Sequence, residues 1–232
     1  ISLNILGIAG ILTILLTRSQ TLIRGIVGER INEMAYHYGS VVDAELEVSI
    51  HSLRTLAQAM TQYSDIPLEA RRTVYSGFVK SVLENNPQII AVYTIWEPQI
   101  LDGLDARFAS GKYDGRFFIN WNRTGGTVKS NSLITYDPNA EEFYAYPKRA
   151  KTEYISNPYK WTYTGDTKEY FEITLCAPIV SGNTFLGIVG ADITLETLQT
   201  VNNAIKPYAD SYAYLIANNE VRAAHPKTEL LG

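Results

Sequence analysis

Aromatic side chains are the residues whose types and spacing best suit contact with a ligand. The chain of 232 residues contains 16 tyrosines and three tryptophans, and most of its aromatic residues lie between Tyr93 and Tyr170. Tyrosine and tryptophan are rigid side chains that combine a large apolar surface with one polar atom. Their concentration in one part of the chain favours a small-molecule site there, because ligand pockets are lined mainly by such groups.

The histidines and the cysteine do not form a catalytic or metal-binding pattern. His37 and His51 lie about 21 Å apart on a helix with a rise of 1.5 Å per residue, which is too far to share a metal ion. His225 stands far along the chain, and Cys176 is the single cysteine. The sequence has no His-Glu-x-x-His, Gly-x-Ser-x-Gly or Walker pattern. We therefore expect no enzyme activity, no bound metal and no cofactor.

The charge of the chain argues against a nucleic-acid partner. The net charge is −4 and the isoelectric point is about 5.5. Binding to phosphates needs a basic face, and no basic run is denser than Arg71-Arg72 or Lys148-Arg149. A small molecule is the expected partner.

The first seventeen residues carry no charged side chain and are followed by Arg18. As a helix they would span about 25 Å, close to the thickness of the hydrocarbon core of a bilayer. We interpret residues 1–17 as part of a transmembrane helix, which would attach the protein to the inner (plasma) membrane. Residues after about 18 would then lie in the periplasm or the extracellular space. A signal-peptide core and a buried helix of a soluble protein are the alternatives.

Residues 18–63 predict one long helix, because apolar residues recur at every third or fourth position. A helix of this length exceeds the usual range in globular proteins, so it either pairs with a second copy or lies along a domain as a spine. We expect a homodimer formed through this helix.

The rest of the chain predicts an α+β fold with an antiparallel sheet. Further helices are expected over residues 67–84 and 195–203. Runs of β-branched and aromatic residues predict strands at residues 89–96, 116–121, 133–136, 170–178, 184–193 and 211–217.

Two segments carry a family resemblance. The run FEITLCAPI at residues 171–179 and the run FLGIVGADITL at residues 185–195 resemble the adjacent sheet strands of double Cache domains. These are extracytoplasmic sensor domains of bacterial methyl-accepting chemotaxis receptors and related transmembrane sensors. The resemblance implies PAS-like antiparallel-sheet modules stacked on a long N-terminal helix, with a ligand in the membrane-distal module. Residues 64–207 would form the complete distal module. Residues 208–232, similar to an opening hairpin, would begin a truncated membrane-proximal module.

The resemblance also implies ligand-contacting positions. Amino-acid sensors of the family share a tyrosine, a following arginine, an aromatic pair, a Tyr-x-Asp and the aspartate of Gly-x-Asp. The matching positions here are Tyr136, Glu141, Phe143, Tyr144, Tyr159, Trp161 and Asp192. Glu141 stands where an arginine would hold a ligand carboxylate, and Trp161 stands where a second acid would help to hold its amino group. Because a glutamate repels a carboxylate, a free amino acid is not the expected ligand.

A small organic cation, such as an amine or a quaternary ammonium compound, fits these positions best. Asp192 would be the one acid in a pocket with aromatic walls, and Trp121 would form a further part of the wall. Aromatic faces attract cations. Two structural alternatives remain open. Aromatic residues at alternate strand positions are common in protein cores, and Asp192 could instead cap the helix that begins near Leu195.

A second hypothesis for the ligand rests on an upstream stretch with Trp96, Arg116 and Phe118. It resembles a subgroup in which the strand carrying Trp121 faces the ligand, and there Arg116 and Arg123 could anchor a small carboxylate, an amino acid or a purine. A third hypothesis is a ligand-free dimerisation or spacer module of a histidine kinase or a cyclic-dinucleotide enzyme.

Overall fold

The structure, a computed structural model, describes residues 2–110, 113–206, 208 and 211–232, with side chains from residue 12 onward. The chain divides into two compact units, Ile1–Ala44 and Glu45–Gly232. Over the described residues, no helix has an apolar stretch long enough to span a membrane. The predicted transmembrane segment includes Ile1 and the side chains of residues 2–11, which lie outside the described part.

One helix, α1 (Ser2–Met60), runs through residues of both units. It covers most of the predicted long helix of residues 18–63 and ends at Met60, three residues earlier than expected. Within the first unit, many apolar side chains of α1 are exposed, including those of Leu22, Ile26 and Ile31.

The described residues of the second unit form four further α-helices and nine strands. The helices are α2 (Arg71–Asn85), α3 (Asp105–Phe108), α4 (Glu142–Ala150) and α5 (Leu195–Asn203). The strands are β1 (Ala91–Trp96), β2 (Phe118–Asn122), β3 (Lys129–Asn131), β4 (Tyr154–Ile155), β5 (Tyr159–Trp161), β6 (Tyr170–Ser181), β7 (Thr184–Thr194), β8 (Leu215–Ile216) and β9 (Arg222–Ala224).

An antiparallel sheet with the order β3-β2-β1-β7-β6-β4 forms the centre of this unit, and β5 also pairs with β6. The strands β8 and β9 form a separate two-stranded sheet. The predicted α+β fold with a long N-terminal helix and an antiparallel sheet is confirmed.

The two faces of the sheet have different partners, because successive side chains of a strand point to opposite sides. On one face, Val92, Trp121 and Ala191 belong to the main core together with apolar residues of α1 and α2 such as Leu53 and Leu83. On the other face, two smaller clusters pack beneath α4 and the loops that follow β3 and β5.

The predicted helix at residues 195–203 is confirmed, but the predicted strand at residues 133–136 is wrong. The amide of Asn131 donates to the carbonyl of Leu133, and the backbone N–H of Leu133 donates back to the amide oxygen of Asn131, at 3.1 Å each. This local side-chain turn competes with strand pairing and ends β3. Residues 133–136 instead form a loop on the face of the sheet opposite α1.

Candidate functional site

A cavity of about 170 Å³ lies on the sheet face opposite α1 and α2. Side chains of β1, β2, β3, β5, β7 and α4 and of the loops after β3 and β5 surround it. They belong to Tyr93, Phe118, Asn120, Asn122, Asn131, Leu133, Thr135, Tyr136, Phe143, Tyr159, Trp161, Thr162, Tyr163, Thr164 and Asp192. The volume lies below the usual range for drug-sized ligands, about 300–1,000 Å³, so the cavity suits a small molecule.

Asp192 supplies a buried carboxylate to the cavity wall. It lies near the end of β7, opposite Ala91 of β1 and Thr174 of β6, and is only 4% exposed. The hydroxyl of Thr174 donates to Oδ1 at 2.7 Å, and the hydroxyl of Tyr163 lies 2.9 Å from Oδ2. Burial raises the pKa of Asp192, and these two hydrogen bonds offset part of the rise.

A second acid, Glu172, lies behind Tyr163. Its Oε2 atom is 2.9 Å from the Tyr163 hydroxyl, and its Oε1 atom is buried without a hydrogen-bond partner among the described residues. Burial, followed by the negative charge of Asp192, raises the pKa of Glu172 well above its ordinary range. In the part of the chain that the structure describes, neither acid forms an ion pair with a basic residue. The site therefore has an excess of carboxyl groups over cations.

Five aromatic rings form a continuous wall around the cavity, each in edge-to-face contact with the next. The ring centroids of Tyr93 and Phe143 are 5.9 Å apart, and those of Phe143 and Tyr136 are 6.2 Å apart. Trp161 continues the series at 5.6 Å from Tyr136 and 6.3 Å from Tyr159. These distances are typical of stabilising aromatic pairs, so each ring helps to fix the position of the next one in the cavity wall.

The hydroxyl groups in the wall are arranged as donors toward Asp192. The hydroxyl of Tyr159 lies 2.6 Å from that of Thr174. Since Thr174 uses its one proton on Asp192, Tyr159 donates to Thr174. Burial, followed by the charge of Asp192, raises the pKa of both Tyr159 and Tyr163 well above the ordinary value, so both phenols stay neutral.

The predicted ligand-contacting residues fall into several groups. The structure brings Tyr136, Phe143, Tyr159, Trp161 and Asp192, together with Phe118, to the lining of this cavity.

Glu141 and Tyr144 do not line the cavity. Glu141 is half-buried directly before α4. Its charge, after burial and the charge of Asp192, helps to raise the pKa of Tyr136, so a negative charge stands close to the cavity. Tyr144 is a fully buried residue of α4, and its hydroxyl donates to Glu97.

Trp96, Trp121 and Arg123 lie on the helix side of the sheet. Trp121 donates from Nε1 to the hydroxyl of Ser76 on α2 at 3.0 Å, and Trp96 stacks on Tyr75 with ring centroids 5.8 Å apart. Arg123 donates to the carbonyl of Leu83 near the end of α2. The sheet separates these side chains from the cavity.

Arg116 lies in a neighbouring cavity of about 330 Å³. Its Nε and Nη2 atoms donate to the carboxylate of Asp114 at 2.9 and 2.6 Å, and its Nη1 atom is buried without a partner in the described structure. Thr135 and Tyr136 line both cavities. The one predicted arginine near the site is therefore paired and stands behind the aromatic wall.

Nine of the fifteen lining residues were not predicted from the sequence, among them Asn120, Asn122 and Tyr163, and neither was Glu172 behind them. Asn120 and Asn122 alternate with Trp121 along β2, and Glu172 alternates with Ile173 along β6 in the same way as Thr174. A period of two places these polar side chains on the face of Asp192, so alternation alone could have indicated them. Tyr163 lies in the loop after β5, where no period fixes its direction.

The described residues contain no group of three or more His, Cys, Asp or Glu side chains that could hold a metal ion.

An antiparallel sheet backed by a long helix, with a small aromatic cavity and a buried acid on its other face, is the architecture of a ligand-sensing domain. The family model for the methyl-accepting chemotaxis protein-like first PDC sensor domain matches residues 75–200. This match covers more than half of the chain, and the chain belongs to that family. The resemblance to chemoreceptor sensor domains is thereby confirmed.

Known relatives agree with this assignment. The methyl-accepting chemotaxis protein TlpQ of Pseudomonas aeruginosa is 28% identical over 140 residues, which cover 53% of this chain and 19% of TlpQ. The extracellular domain of the histidine kinase mmHK1S-Z2 has a TM-score of 0.71 and 29% identity, covering 86% of this chain and 73% of that domain. The chain spans less than a fifth of the length of the curated relatives it matches.

A more distant structure shares the fold alone. The ligand-binding domain of the Pseudomonas fluorescens chemoreceptor CtaA, solved in complex with L-serine, has a TM-score of 0.62 and 18% identity, covering 90% of this chain and 76% of that domain.

Proposed function

We propose that this sensor domain binds a small organic cation, such as an amine or a quaternary ammonium compound, and that Asp192 supplies the opposing charge. The observation that carries the proposal is the buried carboxylate of Asp192 in the cavity wall, which receives hydrogen bonds from hydroxyl groups and has no basic partner in the described part of the chain. A buried charge is costly unless it is paired. A cationic ligand would supply the missing charge.

The aromatic wall supports a cation in the same position. Tyr136, Phe143, Tyr159 and Trp161 line the cavity together with Asp192. A cation over an aromatic face gains about 0.5–2 kcal/mol for each such contact, depending on how much water is removed. The cavity therefore offers both a charge and polarisable faces to one small ligand.

An amino acid is the second candidate, because CtaA was solved with L-serine and Arg116 has one unpartnered guanidinium nitrogen. Asp192 would hold the ammonium group, and Arg116 would have to reach the carboxylate past Tyr136. The charge of Glu141 near Tyr136 and the pairing of Arg116 with Asp114 oppose this arrangement. The cation is therefore the better supported ligand.

A thermal-shift panel tests the proposal. Amines, quaternary ammonium compounds, amino acids, purines and organic acids are added separately, because binding to the folded state raises the melting temperature. We expect shifts from cations and none from organic acids. Asp192→Asn should abolish the shifts, whereas Asp65→Asn, which changes an exposed carboxylate outside the cavity, should keep them. Shifts from carboxylates without shifts from cations would contradict the proposal, and no shift from any class would favour the spacer hypothesis.

We further propose that the chain is the extracytoplasmic part of a bacterial membrane receptor without enzyme activity of its own. Residues 64–207 would be the distal module, residues 208–232 would begin the proximal module, and residues 1–17 would belong to a membrane anchor. Residues 18–63 would mediate a homodimer. The exposed apolar side chains of α1 in the first unit support this last point, and cross-linking of a cysteine introduced at Ile31 would test it.

A further inference from the structure

We propose that cation binding at Asp192 is coupled to the release of one proton from Glu172, with Tyr163 as the hydrogen-bonding switch between the two acids. This inference rests on the proposed function and adds to it a regulation by pH.

A count of protons on three side chains leads to this conclusion. The hydroxyl oxygen of Tyr163 lies 2.9 Å from Oε2 of Glu172 and 2.9 Å from Oδ2 of Asp192. A phenol has one proton and can donate to only one of these oxygens. At such a short distance the other carboxyl group must itself donate to the phenol oxygen, since two acceptor oxygens would repel each other. One of the two acids is therefore protonated in the empty site.

Hydrogen bonding assigns this proton to Glu172. Asp192 already receives the hydroxyl proton of Thr174 at 2.7 Å and can receive that of Tyr163. Glu172 is fully buried, and its Oε1 atom has no partner among the described residues. Its Oε2 atom lies 2.9 Å from the Tyr163 hydroxyl, and the hydrogen bonds of Tyr163 and Tyr159 offset only part of the rise in its pKa that burial and Asp192 cause. Hydrogen bonds to the charged form stabilise it, so Asp192 is the ionised member and Glu172 the neutral one.

A bound cation would reverse the role of Tyr163. When the cation contacts Asp192, it offsets the charge that helps to keep Glu172 neutral. The Glu172 carboxyl group then loses its proton to solvent and becomes a carboxylate. The hydroxyl of Tyr163 rotates and donates to Glu172 instead of Asp192, the Tyr163 oxygen and Oδ2 of Asp192 move apart because no proton lies between them, and the cation takes the place of that hydrogen bond at Asp192. One proton leaves and one positive charge enters, so the total charge of the site is unchanged.

Neighbouring titratable groups do not change charge over the same pH range. Tyr159 from β5, Tyr93 from β1 and Cys176 from β6 are buried, and burial raises the pKa of each above its ordinary value. Tyr136 and Tyr163, from the loops after β3 and β5, behave alike. All five stay protonated at mildly alkaline pH, whereas Asp192 is already ionised there. Glu172 is the group at this site that can release a proton.

Cation binding and proton loss from Glu172 affect each other equally, so the coupling between them can be measured from either side. If a cation promotes the loss of a proton from Glu172, then loss of that proton at higher pH strengthens the binding of the cation by the same factor. We expect the affinity to rise by about threefold or more between about pH 7.5 and about pH 9, within the limit of tenfold per pH unit for one proton.

The experiment uses tetramethylammonium and methylguanidinium, whose charges are constant over this range. Their dissociation constants are measured by calorimetry at both pH values for the parent protein, Glu172→Gln and Glu169→Gln. A glutamine at residue 172 imitates the neutral acid and cannot lose a proton. Glu169 is an exposed residue paired with Lys160, so its substitution is a matched control. The parent and the control should show the pH dependence, and Glu172→Gln should show less than about a 1.5-fold change.

A second measurement does not depend on the variant's folding. The parent protein is titrated near about pH 8 in two buffers of different ionisation enthalpy, and the difference in observed enthalpy gives the number of protons released. A release of a measurable fraction of one proton supports the inference. Binding without proton release and without pH dependence would overturn it while leaving the proposed cation site intact. Absence of binding by any organic cation would overturn both.

Discussion

The phenol ring of Tyr93 lies against Gly190, its cross-strand partner on β7. A Cβ atom at residue 190 would stand 2.3 Å from Cζ of Tyr93, closer than any real contact. Tyr93 lines the cavity, and Gly190 precedes Asp192 by two residues. The glycine of the Gly-x-Asp motif therefore leaves room for an aromatic wall residue beside the buried acid.

Replacement of Gly190 by alanine should destabilise the fold. The new methyl group must displace the ring of Tyr93, and such overpacking costs about 1–3 kcal/mol of the free energy of unfolding. Urea denaturation measures this loss. In a Tyr93→Leu background the same change should cost less, because the ring is gone, so a double-mutant cycle should show coupling between the two residues. Equal costs in both backgrounds would show that Tyr93 does not require the glycine.

The two tryptophans on opposite faces of the sheet should respond differently to substitution. Trp161→Leu removes part of the aromatic wall and should weaken cation binding by about 2- to 30-fold, the equivalent of about 0.5–2 kcal/mol. Trp121→Leu should leave the affinity within about twofold, because its side chain faces α2, but should lower the free energy of unfolding through lost packing. Calorimetric titration and urea denaturation of both variants check this. An equal loss of affinity in both would contradict the assigned position of the cavity.

The stability of the fold should fall as pH rises through the neutral range. Glu172 has a pKa raised by burial and by Asp192, so the folded chain binds this proton more tightly than the unfolded chain does. The stabilisation that this proton provides is therefore complete at pH values below the ordinary pKa of a carboxyl group. At higher pH it decreases by up to about 1.4 kcal/mol per pH unit, until the pH reaches the raised pKa of Glu172. Asp192 contributes in the same direction.

Urea denaturation at several pH values between about pH 6 and about pH 8.5 measures this slope. Asp102 and Asp114 have lowered pKa values and titrate below the window. Glu172→Gln should have a flatter profile than the parent, and Glu169→Gln should have the parent's profile. If all three profiles have the same slope, Glu172 is not protonated in the folded protein.

Much of the fold follows from local patterns in the sequence. The period of three to four residues in α1 and the β-branched runs of β1, β6 and β7 are strong signals, and the structure contains all four elements. Pro147 argues against a helix from sequence alone, yet it lies within α4, whose buried residues Phe143 and Tyr144 pack against the sheet. Tertiary packing decides such a short element, so local propensity missed it.

The candidate site could be predicted only in part, because some of its contacts depend on tertiary packing. The resemblance supplied Tyr136, Phe143, Tyr159, Trp161 and Asp192, which all line one cavity. Trp121 was expected on the same face, but the alternation of Phe118, Asn120 and Asn122 places it opposite. The pairing of Glu172 with Asp192 through Tyr163 depends on a loop and on the register of β6 against β7, and neither can be obtained from one sequence.

The proposed cation site can be tested by a crystal structure of the domain with the cation that gives the largest thermal shift. We expect density in the cavity with the positive group within about 4 Å of the Asp192 carboxylate and against the faces of Tyr136 and Trp161. A ligand held instead through a carboxylate on Arg116, or bound outside the cavity, would contradict it.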